Sequence, residues 1–255
     1  MSPAVNFPIY RYQASGWQLE NVDIIAESQI SLTVNGKEWL AFACTPEQLP
    51  ELAMGYLYNE GVITTVSEIS SIQMTCQDKN VDVWLTHPAE PPALITRTSG
   101  CTGGVSSSQS RQLPPPNLTH NFISPEVILT GMEQLFAVQD KYHQSRGIHC
   151  STLGDGQVVI FSAEDIGRHN TLDKLAGQII QTPHLPDVRI IYTTGRVSHE
   201  MAIKSARMGA VAIVSLTTPT EQAVEICQEL GITLVGYARR TQFVAYTHSD
   251  RLGRD

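Results

Sequence analysis

The 255-residue chain has little cysteine: its five (Cys44, Cys76, Cys101, Cys150 and Cys227) are scattered, odd in number and without a C-x-x-C pair. That spacing offers no disulfide frame or zinc knuckle and fits a reducing compartment. Long apolar runs are missing too, none approaching the ~18 residues of a membrane span. The opening stretch "MSPAVNFPIYRYQASGWQLE" has neither the basic nor the apolar segment of a signal peptide, so a cytoplasmic location without a membrane partner is expected. Positive charge is in deficit, 17 Lys and Arg against 25 Asp and Glu, for a formal net charge of −8. Such a field repels polyanions and argues against general nucleic-acid binding, while leaving room for a local basic pocket. Like-charge blocks, low-complexity tracts and internal repeats are absent.

What is present suits a folded interior: 42% apolar and 16% charged residues, in a chain long enough for a real core. The first hundred residues read as β-rich with one helix. Asn35-Gly36 in "ISLTVNGKEWLAFA" is the short-loop signal of a hairpin, because both turn positions need positive φ. After it, "TPEQLPELAMGYLYNEG" offers Thr45 as N-cap, Pro46 at the first helical position and Gln48 for a capping box. "ISSIQMTC" and "NVDVWLTH" read as a second strand pair around "QDKN". Residues 1–110 are therefore expected to form a small β-rich α+β domain, and residues 111–123, with the Pro114 to Pro116 run and two Asn, a linker. From residue 124 a helix is expected to run to about Gly147. Strands and helices then alternate to the C-terminus, which predicts a three-layer α/β domain over 124–255 with a mostly parallel or mixed sheet.

In open α/β sheets ligands sit beyond the carboxyl ends of the strands, where the next helix starts. Two such junctions are unusually polar. "AEDIGRHNTLDKL" places Glu164, Asp165, Gly167, Arg168, His169 and Asn170 in one turn, and "TTGRVSHEM" places Gly195, Arg196 and Ser198 in another. Paired Gly-Arg steps suit an anion clamp, since glycine admits close backbone approach and the guanidinium donates bidentately. Each turn alone also fits an ordinary helix cap. Arg239 and Arg240 in "YARRTQ" form a third basic patch, and a solvated turn is the default for it. His149 lies on a predicted strand, where a hydrogen-bonded core residue is the default. Cys150 points to the opposite face, and Cys44, Cys76 and Cys227 lie in strand or helix patterns that suggest buried thiols. Cys101 differs. Its surroundings, "RTSGCTGGVSSS", are small and polar, with Arg97 near enough in sequence to favour a thiolate.

The block "EDIGRHNTLDKLAG", followed by "GRVSHEMAIKSARMGAVAIVSLTTPTEQAVEICQELGITLVGYARRTQFVAYT", resembles the FdhD family, the sulfur-carrier accessory proteins of formate dehydrogenase. The likeness runs in order from about Ile30 to the C-terminus. It implies a cytoplasmic homodimer whose larger domain has a cytidine-deaminase-like fold. It also implies a sulfurtransferase role: sulfane sulfur is taken from a cysteine desulfurase and passed, as a cysteine persulfide, to molybdenum bis(molybdopterin guanine dinucleotide) before insertion into the formate dehydrogenase catalytic subunit. GDP or GMP would then serve as surrogate ligands. The zinc-deaminase patterns H-x-E and P-C-x-x-C are missing, so neither zinc nor deamination is expected.

Residue by residue, the resemblance makes Cys101 the persulfide carrier, with Gly104 standing where the family's C-x-x-C loop has its second cysteine. Arg97, Arg168, His169 and Arg196 are the cations that could lower the Cys101 pKa. His149 matches the end of a T-G-G-[VI]-H stretch, written "SRGIH" here. The two Gly-Arg turns (Gly167, Arg168, His169, Asn170; Gly195, Arg196) match positions near the dinucleotide cofactor. Tyr237, Ala238, Arg239, Arg240, Thr241 and Gln242 match a cofactor-binding F-x-R-G-x-R stretch, with Arg240 and Gln242 as departures. Two other readings stay open: a cofactor-binding chaperone without sulfur transfer, prompted by Gly104, and a nucleotide hydrolase using Glu164, Asp165 and His169.

Overall fold

The computed structural model describes residues 2–92, 96–97, 105–106, 122–145 and 147–253. Strands β1 (Ala4–Gln13) and β2 (Gly16–Ile25) pair antiparallel as a two-stranded ribbon. β3 (Ser28–Val34) and β4 (Lys37–Cys44) form the predicted hairpin, with Asn35 and Gly36 at φ 49° and 78°. Helix α1 (Leu49–Asn59) follows, then β5 (Ile69–Thr75) and β6 (Asn80–Leu85). The second small sheet has the order β4-β3-β6-β5. Its inward residues Ile30, Leu32, Phe42, Val81 and Val83 alternate along the strands and pack under Leu52, Tyr56 and Leu57 of α1.

α1 begins later than the Thr45-Pro46 signal predicts. Gln48 is its N-cap, in the left-handed region at φ 51°, and Pro50 takes the early helical position. Thr45 is drawn to partners 120 residues away. Its N–H donates to Asp165 (3.1 Å), its hydroxyl accepts from the Ile166 N–H (3.3 Å), and its carbonyl accepts from Lys174 (3.2 Å). Tertiary hydrogen bonds have outcompeted a local cap.

Two short strands, β7 (Thr96–Arg97) and β8 (Val105–Ser106), pair antiparallel. Next come α2 (Pro125–Ala137) and α3 (Asp140–Ser145), where the sequence suggested a single helix. The break lets the Glu164 carboxylate accept the N–H groups of Lys141 (3.2 Å) and Tyr142 (3.1 Å), capping a second helix start. β9 (His149–Gly154), β10 (Val159–Asp165), α4 (Arg168–Ile180), β11 (Ile190–Thr193), α5 (His199–Arg207), β12 (Ala212–Ser215), α6 (Glu221–Glu229), β13 (Thr233–Arg239) and β14 (Gln242–Ala245) complete the chain.

The larger sheet has the order β10-β9-β11-β12-β13-β14. Only β11-β12 and β12-β13 are parallel, so the sheet is mixed rather than mostly parallel. The connections from β9 to β10 and from β13 to β14 are too short for the crossover that parallel neighbours need. Alternation along the strands makes three layers. Ile191, Ile213 and Leu234 face α4, α5 and α6, while Tyr192, Val214 and Val235 face α2. α1 stacks on the far side of α4 through glycines: a Cβ on Gly55 would lie 1.7 Å from the Asp173 carbonyl oxygen, and one on Gly177 would lie 2.0 Å from that of Glu51. The two backbones touch, which locks the small sheet onto the helix that carries the Gly167–Asn170 turn.

Candidate functional site at one edge of the larger sheet

β10 ends in Asp165, whose side chain builds the turn before α4. One carboxylate oxygen accepts the Gly167 N–H and the Asn170 amide, both at 2.8 Å; the other accepts the Thr45 N–H and pairs with the Lys174 ammonium at 2.7 Å. Asn170 also donates to the Ala43 carbonyl (2.9 Å), and Lys174 to the Glu164 carbonyl (3.0 Å). Asp165 and Lys174 are fully buried. A buried ion pair survives only where further hydrogen bonds satisfy both charges, as they do here. This cluster is a brace between β4, β10 and α4. Glu164 is committed as well: besides capping α3 it faces the Lys141 ammonium (3.5 Å), which pairs with Glu47 (2.6 Å). Neither acid is free to act as a base, which removes the geometry of the hydrolase reading.

The brace presents Arg168 and His169. A Cβ on Gly195 would lie 2.9 Å from the Cβ of Arg168, so the two Gly-Arg turns are in direct contact. Arg168 is buried; Arg196 is exposed. His149, at the start of β9, reaches the Thr194 hydroxyl at 3.5 Å, the outer limit of a hydrogen bond. Burial, then the Arg168 charge, push the His149 pKa down against the pull of Asp165. For His169, burial first, then Lys204, Arg168 and His149, push the value down to about 3. Its Nε2 lies 3.2 Å from the Ser198 hydroxyl and 3.3 Å from Glu200. With a neutral ring, the Glu200 contact is a hydrogen bond rather than an ion pair. His169 is therefore not one of the cations that could favour a thiolate, because burial among positive charges keeps it neutral. Its Nδ1 is buried without a hydrogen-bond partner.

A third strand-to-helix junction belongs to the same edge, and sequence reasoning passed over it. In "SLTTPT" the Ser215 hydroxyl donates to the Gly195 carbonyl (2.8 Å) and accepts from the Thr217 N–H (3.0 Å), while Thr220 caps α6. Its signal was the one seen at the other two junctions, hydroxyl residues between a β-branched strand and a helix. The Thr217 carbonyl accepts the Tyr237 N–H (2.9 Å), where β13 bulges with Tyr237 at φ 51°. Beyond the bulge Ala238 is buried, and Tyr237, Arg239, Arg240, Thr241 and Gln242 are exposed at the β13–β14 turn. So Gly167 to Asn170, Gly195, Arg196, His149 and Tyr237 to Gln242 share one edge of one sheet, with Asn170 spent on the brace.

Cys101 and Gly104 fall between β7 and β8 and lie outside the described residues, as does nearly all of the predicted linker. Burial, then Asp165, push the Cys44 thiol up to about 12, and burial does the same to Cys227. Cys150 is buried and pushed up too. Cys76 is exposed, against expectation: it stands at φ 52° in the turn after β5, where no sheet face covers it. Among the described residues no group of three His, Cys, Asp or Glu side chains is placed to hold a metal ion, and no helix is long and apolar enough to cross a membrane.

A family model described as "FdhD/NarQ family" matches residues 25–253. The chain belongs to that family. It is 30% identical over 250 residues to the sulfur carrier protein FdhD of Bacillus subtilis (strain 168), covering 96% of this chain and 95% of that protein. It is 31% identical over 252 residues to the protein of the same name from Bacillus licheniformis, with the same coverages. Among solved structures it resembles a formate dehydrogenase accessory protein from Desulfotalea psychrophila, with a TM-score of 0.82 and 22% identity over 98% of this chain and 100% of that one. That likeness supports the mixed α/β fold; the family match rests on the sequence.

Proposed function

We propose that this chain is a sulfur carrier for formate dehydrogenase maturation, with Cys101 as the carrying thiol and the cationic sheet edge as the docking site of its cargo. The observation that carries the reading is the convergence of Arg168, Arg196 and the Arg239–Gln242 turn on one edge, in a family whose named members are sulfur carriers. The buried cysteines narrow the choice to Cys101 and the exposed Cys76. Cys44, Cys150 and Cys227 are buried with raised pKa values, so they hold little thiolate, the reactive form.

In this reading the Cys101 thiolate attacks the sulfane sulfur of a cysteine desulfurase persulfide. The new sulfur–sulfur bond forms as the old one breaks, and the desulfurase leaves as a thiolate. Cys101 would then hand the terminal sulfur to the molybdenum of bis(molybdopterin guanine dinucleotide), which is cargo rather than a resident cofactor, before its insertion into the catalytic subunit: the sulfur–sulfur bond breaks, Cys101 is left as a thiol, and the reduced metal of the cargo supplies the two electrons that take the sulfur to the sulfide level. Gly195 and Gly167 make room for Arg168 and Asn170 of this chain, and the guanidiniums supply charge-assisted hydrogen bonds to the diphosphates. β11 and β13 lie two strand spacings apart, ~10 Å, so Arg196 and Arg239 can hold separate parts of a dinucleotide. The reading keeps the cytidine-deaminase-like description of the larger unit, the division at residues 111–123, a cytoplasmic location and a two-copy assembly. A cell lacking its own carrier should regain formate dehydrogenase activity with the wild-type chain and not with Cys101→Ala; full rescue by Cys101→Ala would overturn the reading.

Gly104 favours one second reading, a chaperone that binds the cofactor without carrying sulfur. Such a chaperone would bind GDP and rescue the cell whether or not Cys101 is present.

A further inference from the structure

His149 differs from the arginines of the cationic edge in one respect: its charge is not fixed. It opens β9, where its Cα pairs with that of Asp165 at the end of β10. One ring nitrogen, Nδ1, lies 3.5 Å from the Thr194 hydroxyl, which already accepts the Cys150 N–H at 3.0 Å. The other, Nε2, has no hydrogen-bond partner among the described residues, and the residue is half-buried rather than sealed in the core. A donor or acceptor is therefore left over at the edge where Arg168 and the Gly195-Arg196 turn meet.

The groups that act on this ring come from each element around it. Arg168 of α4 repels a proton on the ring, and burial works in the same direction; Asp165 of β10 attracts one, but is itself paired with Lys174 at 2.7 Å. His169, next along α4, is neutral and adds no charge. After β11, Thr193 and Thr194 carry none. Glu164 and Lys141 act on Cys150, which alternation places on the opposite face of β9. With no anion beside it, the His149 ring is neutral around pH 7.

We propose that His149 is a proton-dependent member of the anion site: a diphosphate held at the Arg168 and Arg196 turns binds together with a proton, which settles on the His149 ring. The inference rests on the cargo reading above and adds how the hold on the cargo is loosened. The diphosphate offsets the repulsion from Arg168 and supplies an attraction of its own. An opposite charge ~4–6 Å away favours the charged form by about tenfold or more. Once protonated, the ring has an N–H on both nitrogens, so Nε2 donates to a phosphate oxygen while Nδ1 donates to the Thr194 hydroxyl. The sign follows: the complex takes up a proton that the free chain refuses, so affinity falls as pH rises through the window between the free and bound values of the ring and levels off above it. An arginine in this place would hold its anion at every pH, whereas a histidine releases part of the attraction when the proton leaves. That suits a ligand that is delivered rather than kept.

Diguanosine diphosphate is the probe, because its bridging diphosphate does not titrate in the range tested. Calorimetric titration of the full chain near neutral pH, in buffers of different ionisation enthalpy, should show net uptake of part of a proton. The affinity should be roughly tenfold weaker at about pH 8 than at about pH 5.5. His149→Gln should take up no proton and should bind, at both values, about as the wild type does at the higher one. The ring resonance of His149 supplies a reading free of mutation, since its titration midpoint should move up when the probe is bound. Binding without proton uptake, an unmoved midpoint, or a His149→Gln variant that keeps the wild-type pH dependence would overturn the proposal and leave the anion site standing. Failure of the probe to bind at either pH would overturn the anion-site reading, and the proposal with it.

Discussion

Replacing Lys174 with Met removes a fully buried ammonium from the brace beneath the Gly167–Asn170 turn. Asp165 loses its 2.7 Å counter-charge, while the carbonyls of Glu164 and Thr45 lose a donor at 3.0 and 3.2 Å. Breaking a buried pair from one side costs about 3–5 kcal/mol. Asp165 keeps the Thr45 and Gly167 N–H groups and the Asn170 amide, which favours the lower end; the deprived carbonyls add to the cost. The expected loss is about 4 kcal/mol, a large share of the 5–15 kcal/mol of a typical domain. Urea denaturation followed by circular dichroism measures it. Adding Asp165→Asn to Lys174→Met leaves no lone buried charge, so the double variant should be less destabilised than the sum of the singles. A Lys174→Met cost below about 1 kcal/mol, or strict additivity, would refute the assignment of these residues as a structural brace.

At the site, Arg196→Ala should weaken GDP binding by roughly tenfold, as expected for one lost charge-assisted contact, with stability within about 0.5 kcal/mol because the side chain is exposed; calorimetric titration checks both the affinity and its decline with salt. His169 makes the fold acid-sensitive. Its folded value of about 3 lies below the ordinary 6.5, so between those limits the unfolded chain binds a proton that the folded chain refuses. Stability should fall as pH drops through that window by about 1.4 kcal/mol per unit for this one group, and His169→Gln should flatten the slope; an unchanged slope in the variant would contradict the buried neutral ring.

The elements of the larger unit were legible because its strands are short β-branched runs and its helices start at hydroxyl residues, Ser198 and Thr220, which cap them. What misled was local reasoning where distant partners decide. Thr45 reads as a cap from its neighbours but bonds to Asp165 and Lys174, and the α2–α3 break answers a carboxylate 23 residues further on. The mixed pattern of the sheet was only half legible because strand alternation was weighed above connection length. Of the candidate site, the two Gly-Arg turns were legible as polar strand-to-helix junctions, and their contact through Gly195 was not, since it depends on the order of strands in the sheet. Asn170, Asp165 and Glu164 looked chemical and are structural. The β1–β2 ribbon escaped notice because its apolar residues switch faces halfway along, which breaks the alternation a reader counts.

Mass spectrometry of the purified chain after incubation with a cysteine desulfurase and cysteine tests the carrier claim most directly. Cys76 is the rival to control for, being an exposed thiol among the described residues. The wild type and Cys76→Ser should each gain one sulfur atom, mapped to the peptide holding Cys101 and released by a reducing thiol, while Cys101→Ala gains none. No added sulfur on the wild type, or an undiminished gain in Cys101→Ala, would contradict the account.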